Sequence, residues 1–120
     1  MKSNAFGKKL REYFGIYLPK QRNSSEKTID SCRMAWNILL RFLLQEKGIP
    51  ASGLGFETFT SDLLTEFLDT TESQKGWKES TRNNRLSCIR SFFKFAAYTS
   101  PEVYTVYADL CTCLLYTSPS

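Results

Sequence analysis

The chain has 120 residues, 42% of them apolar and 14% aromatic, with a formal net charge of +4. That length builds one small core and not two, and no apolar run approaches the roughly 20 residues of a membrane span. The opening Met-Lys-Ser-Asn-Ala has no apolar core of a signal peptide, and no histidine or Cys-x-x-Cys pair offers a zinc site, so the expectation is a cytoplasmic protein with reduced thiols.

In chain order, residues 1–7 read as a frayed lead-in. Helix A is expected over 8–18, with Leu10, Tyr13, Phe14, Tyr17 and Leu18 at the spacing of a core-facing stripe and Pro19 as its stop. Gly15 inside it costs about 1 kcal/mol relative to Ala and is expected to mark close packing against a neighbour. Helix B follows over 26–47, capped by Ser25 and ended by Gly48. Its buried stripe is Ile29, Cys32, Trp36, Leu39, Leu40 and Leu43, and its other side carries Asp30, Arg33, Met34, Asn37 and Arg41. Residues 49–57, with Pro50, Gly53 and Gly55, have the composition of a loop.

Helix C starts at an N-cap on Thr60, with Phe59 and Leu64 spaced as a hydrophobic staple. Leu63, Leu64, Phe67 and Leu68 face inward, the helix is expected to end near Thr70 or Thr71, and 73–77 reads as a linker turning at Gly76. Helix D spans 78–98. Its apolar side is Leu86, Ile89, Phe92, Phe93, Ala96 and Ala97, its polar side Asn83, Ser87, Arg90, Ser91 and Lys94, and Pro101 disfavours helix before it. A fifth, weaker helix is expected over 101–110, with Val103, Val106, Tyr107 and Leu110 as its apolar side. The fold class is therefore all-α, a four- to five-helix bundle.

Charge is segregated by element. From Lys2 to Arg33 there are eight basic and three acidic residues, and from Lys78 to Lys94 five and one, whereas Glu57 to Glu72 holds five acids and no base. A cationic helix face with small hydrogen-bonding residues suits a nucleic-acid backbone. Lys27, Arg33, Arg41, Arg82, Arg85, Arg90 and Lys94 are the candidate phosphate contacts, and Thr28, Thr81, Asn83 and Ser87 the candidates for phosphates or base edges. Arg82 and Arg85 lie nearer the apolar side, where covering the core with the alkyl stem is the competing role. Neither a cofactor, a metal nor a small-molecule ligand is expected, and no membrane partner.

The residues Ser25, Thr28, Ile29, Arg33, Leu40, Phe42 and Leu43, then Leu63, Leu64, Phe67 and Leu68, then Ser80, Thr81, Asn83, Arg85, Leu86, Ser87 and the block from Ile89 to Phe95 together form a pattern. It resembles the core-binding, SAM-like N-terminal domain of tyrosine recombinases, the phage-type integrases, over residues 6–102. The resemblance implies a domain at 1–110 that precedes a catalytic domain, the two closing on duplex DNA as a clamp, with helices B and D against the major groove. Its implied partners are double-stranded DNA and, for the full-length parent, further recombinase protomers on that DNA, near the bacterial nucleoid. The sequence departs from the family pattern at Cys32, where a tyrosine is frequent, at Ser25-Glu26, where serine-proline is frequent, and at Lys78, which replaces a capping serine.

A catalytic member needs histidines and a tyrosine nucleophile in a separate domain, and this chain has no histidine. Tyr98, Tyr104, Tyr107 and Tyr116 are read as core or surface residues, and the chain as non-catalytic by itself. Residues 113–120 resemble translated read-through of a sequencing adapter, so 111–120 is expected to be a non-native or disordered tail and the parent to continue into the catalytic domain. Two other classes stay open: a self-contained helical DNA-binding regulator, which needs a helix-turn-helix and a dimer, and a protein-interaction module whose helix D docks an acidic partner.

Overall fold

In the computed structural model, which describes residues 5–112, polar caps and glycines set both ends of two of the helices. Five α-helices result, with no strand among the described residues: α1 (Ala5–Glu12), α2 (Glu26–Lys47), α3 (Ser61–Lys75), α4 (Glu79–Ala97) and α5 (Pro101–Leu110). The fold is all-α, as the sequence pattern implies. Of the proposed tail, residues 113–120 lie outside the described residues. The chain divides between Thr58 and Phe59 into two units, each treated by itself below.

In the first unit, α1 continues directly into a π-helical segment, Tyr13–Gln21, that contains Pro19. The first helix therefore begins three residues earlier than the apolar stripe suggested and runs past the proline. Phe6, assigned to the lead-in, is buried, its ring 5.8 Å from that of Trp36 and 5.5 Å from that of Phe56. Pro19 does not stop the helix because the wider turn relieves the clash of its ring with the carbonyl four residues back. The widened ladder is visible where the Arg22 amide donates to the Tyr17 carbonyl at 2.7 Å and the Ser24 amide to that of Leu18 at 2.8 Å. Gly15 is exposed, and a Cβ there would meet nothing within 4 Å, so the expected close approach does not occur.

The ends of α2 follow their capping chemistry. The Thr28 amide donates to the Ser25 hydroxyl at 3.2 Å, and Gly48 at φ 68° closes the other end, where the Ile49 amide donates to the Leu43 carbonyl at 3.0 Å. Cys32, Ala35, Trp36, Leu39, Phe42 and Leu43 are buried, one helical stripe, while Arg33, Met34, Asn37 and Arg41 are exposed. The loop holds two short 3-10 turns, Ala51–Gly53 and Phe56–Thr58, and buries Leu54 between them.

In the second unit, the Leu63 amide donates to the Thr60 hydroxyl at 3.1 Å and starts α3, with Phe59 and Leu64 both buried. The helix runs four residues beyond Thr71, because the residue that ends it is Gly76, at φ 67°, whose amide and that of Trp77 both donate to the Glu72 carbonyl. Lys78 begins α4 without a side-chain cap. Leu86, Ile89, Phe92, Phe93 and Ala96 are fully or nearly fully buried, and the Phe93 ring meets those of Phe92 and Phe59 at 5.1 and 5.2 Å. Pro101 opens α5, which buries Val103 and Leu110 and packs along α4 and α3. The Asp109 carboxylate reaches the start of α3, accepting from the Ser61 amide at 2.9 Å, where a negative charge also suits the helix dipole. Cys32 and Cys88 are buried.

Candidate nucleic-acid interface

Within the first unit, the candidates sit on the solvent side of α2. Lys27, Thr28, Arg33 and Arg41 are all exposed, as the 3.6-residue period requires of positions off the buried stripe. Thr28 belongs to the cap: its Oγ1 accepts from the Ser25 hydroxyl at 3.0 Å. The Arg33 side chain keeps 54% of its surface in water, with Asp30 at 3.7 Å and the Phe14 ring centroid at 5.5 Å from its guanidinium carbon. An open cleft of about 500 Å3 lies beside it, lined by Leu10, Arg11, Phe14, Trp36, Asn37 and Leu40 among others. A guanidinium over an aromatic face, with one exposed carboxylate beside it, retains donors that can turn to an anion.

Within the second unit, α4 treats its cations differently. Arg82 is drawn against α3: its Nη1 donates to Glu72 at 2.6 Å and to Asp69 at 2.8 Å, with only 13% of the side chain exposed. Burial alone would lower its pKa, but the hydrogen bonds to Glu72 and Asp69 outweigh that and hold it above the ordinary arginine value. Arg85 lies with its guanidinium carbon 5.8 Å from the Trp77 ring centroid, half-buried. Arg90 closes the far end of α5, its Nε donating to the Leu110 carbonyl at 3.2 Å and its Nη2 to that of Cys111 at 3.4 Å. Thr81 and Asn83 are half-buried, and Ser87 and Lys94 are exposed.

The geometry thus brings Lys27, Arg33 and Arg41 to one exposed side of α2, and Ser87 and Lys94 to one exposed side of α4. It places Arg82 and Arg90 in the packing of α3, α4 and α5. The alkyl-stem role weighed for Arg82 and Arg85 fits their half-buried positions. For Arg90 the sequence held one usable signal: α5 has no basic residue in its last turn, so the carbonyls there need a cation from elsewhere. Sequence reading also passed over a cleft of about 230 Å3 lined by Lys94, Ala97, Tyr98, Tyr104 and Tyr107. The spacing of Lys94 to Tyr98 and of Tyr104 to Tyr107, one turn in each case, was its only trace.

Among the described residues no helix is long and apolar enough to cross a membrane, and no group of three or more histidine, cysteine, aspartate or glutamate residues could hold a metal ion. The family pattern described as "Phage integrase, N-terminal SAM-like domain" matches residues 11–99. Two relatives come from Sinorhizobium fredii (strain NBRC 101917 / NGR234). The chain is 39% identical over 93 residues to the candidate integrase/recombinase y4rC, covering 78% of this chain and 28% of that protein. It is 36% identical over 97 residues to the candidate integrase/recombinase y4rD, covering 81% of this chain and 34% of that protein. No solved structure gives a significant match. The chain spans about a third of the length of these relatives, and it belongs to the phage integrase family through its SAM-like N-terminal domain.

Proposed function

We propose that this chain is the DNA-binding domain of a site-specific tyrosine recombinase, gripping the duplex of the recombination site through the exposed sides of α2 and α4. The observation that carries the reading is the family match over residues 11–99 combined with exposed cations on both helices, Lys27, Arg33 and Arg41 on one and Lys94 on the other. Helix α4 has no carboxylate between Glu79 and its end, so nothing of its own repels a phosphate there. The chain supplies position and affinity, and bond breaking belongs to a catalytic domain of the parent, assembled with further protomers on the DNA.

Arg82, Arg85 and Arg90 serve this reading indirectly. Arg82 and Arg90 fix α4 against α3 and α5, Arg85 lies against the Trp77 ring that precedes α4, and together they hold Ser87 and Lys94 in place for the backbone. Direct phosphate contact then rests on Lys27, Arg33, Arg41 and Lys94, with Thr28, Thr81, Asn83 and Ser87 as neutral donors. Such contacts position the protein on the duplex without reading sequence.

The test is fluorescence anisotropy of the full chain on a labelled random duplex over a range of salt. With about four to five phosphates neutralised, log K falls against log salt with a slope of about −4. Arg41→Glu combined with Lys94→Glu reverses one cation in each unit and is expected to weaken binding at least about 30-fold while circular dichroism stays helical. An affinity indifferent to salt, or one that survives the double reversal, overturns the reading.

A further inference from the structure

The cleft between α4 and α5 is unlike the rest of the surface. Three tyrosine rings line it, two of them largely wet: Tyr98 is 77% and Tyr104 61% exposed. Large aromatic faces left together in water mark a contact surface, since each would gain by burial. Tyr98, the C-cap of α4, stands one turn beyond Lys94, and Lys94 two turns beyond Ser87, so the polar side of that helix runs into the cleft. Across from it, the rings of Tyr104 and Tyr107 lie 6.3 Å apart at 64°. Their helix is tied at its far end, by Arg90 to the Leu110 carbonyl and by Asp109 to the Ser61 amide, so the walls are set before any ligand arrives.

We propose that this cleft takes one unpaired nucleobase of the bound DNA, stacked on Tyr98 and Tyr104, with the adjoining phosphate on the Lys94 ammonium. The occupant follows from the lining. Ring faces and the Ala97 methyl call for a planar apolar face, the Lys94 charge in the lining calls for an anion, and a nucleotide joins the two. A paired base inside a duplex cannot offer its face, because its neighbours cover it, so the ligand is an extrahelical or melted position. An acidic peptide supplies the charge without the flat face. This inference rests on the duplex-binding reading and extends it from phosphates to one base.

The experiment compares the full chain on two labelled duplexes of one sequence, one fully paired and one with a short unpaired bubble carrying 2-aminopurine. The bubble is expected to bind about tenfold tighter, the worth of about one stacked base, with quenching of the 2-aminopurine. Tyr98→Leu with Tyr104→Leu, both at exposed positions, keeps the affinity for paired duplex and loses the preference and the quench. Tyr98→Phe with Tyr104→Phe keeps all three, since stacking needs the ring and not the hydroxyl. Equal affinity for the two duplexes, or a preference and quench unchanged in the leucine variant, overturns the proposal and leaves duplex binding standing. Bubble binding without paired-duplex binding supports the cleft and overturns the duplex reading, and no binding to either overturns both.

Discussion

Helices α2 and α4 look alike in sequence, each amphipathic and basic on its polar side, yet their cations meet different fates. On α2, Lys27, Arg33 and Arg41 stay exposed, with the neighbouring Asp30 3.7 Å from Arg33. On α4, Arg82 goes to Asp69 and Glu72 of α3, Arg85 to the Trp77 ring, and Arg90 to the last carbonyls of α5. Flanking elements contribute to the difference. Acidic α3 on one side of α4 and the cation-poor end of α5 on the other recruit the arginines within reach, whereas the π-helical segment that packs on α2 in its own unit brings no carboxylate. The count of positive charges on a helix is therefore a poor measure of the charge available to a ligand.

If the two helices differ only on their polar sides, truncating the buried side of either should hurt alike. Leu39→Ala in α2 and Ile89→Ala in α4, both fully buried, are each expected to lower the unfolding free energy by about 2 to 5 kcal/mol in urea titration. A much smaller loss at one site would show that its core is loosely packed and that the buried sides differ too.

The arginines supply the sharper contrast. Arg82→Met removes the partner of two carboxylates and is expected to cost about 1 to 2 kcal/mol, a figure held down because Asp69 is 63% exposed and solvent screens it. Arg41→Met, at an exposed position, should stay within about 0.5 kcal/mol. Because the Arg82 pKa is raised, its contribution is fully present below the ordinary arginine value and lost only above it. The difference between wild type and Arg82→Met, followed by chemical denaturation, should accordingly be flat across the neutral range. Equal costs for the two arginines would dissolve the distinction between the helices.

Two smaller effects probe how each polar side is built. Lys78 starts α4 with no side-chain cap, so Lys78→Ser should add about 0.5 to 1 kcal/mol, read as a rise in Tm. In the first unit Gly15 is exposed with room for a Cβ and no positive φ, so Gly15→Ala should add about 0.5 kcal/mol. A loss at Gly15 would mean that the π-helical segment needs the freedom of glycine.

Much of the fold was legible. Ser25, Gly48 and Thr60 mark helix ends at the positions observed, because capping is a contact among residues three to six apart and the chain carries both partners locally. Pro19 misled because its effect depends on the width of the turn around it, and the end of α3 was placed early because Gly76 outweighs the weak helix propensity of Thr70 and Thr71. Among the candidate residues, sequence ordered the positions by face correctly on α2. It could not foresee the partners of Arg82 or Arg90, which lie 10 to 20 residues away on other helices.

By itself the sequence determined the all-α class, the stripes that must be buried, the segregation of charge by element and the family pattern, since periodicity and capping act over one or two turns. Tertiary packing alone decided which cations remain available and which tyrosines share a cleft. Those outcomes depend on which side chains of separate helices come within a few ångströms, and a hydrogen bond or ion pair of that kind has no local signature.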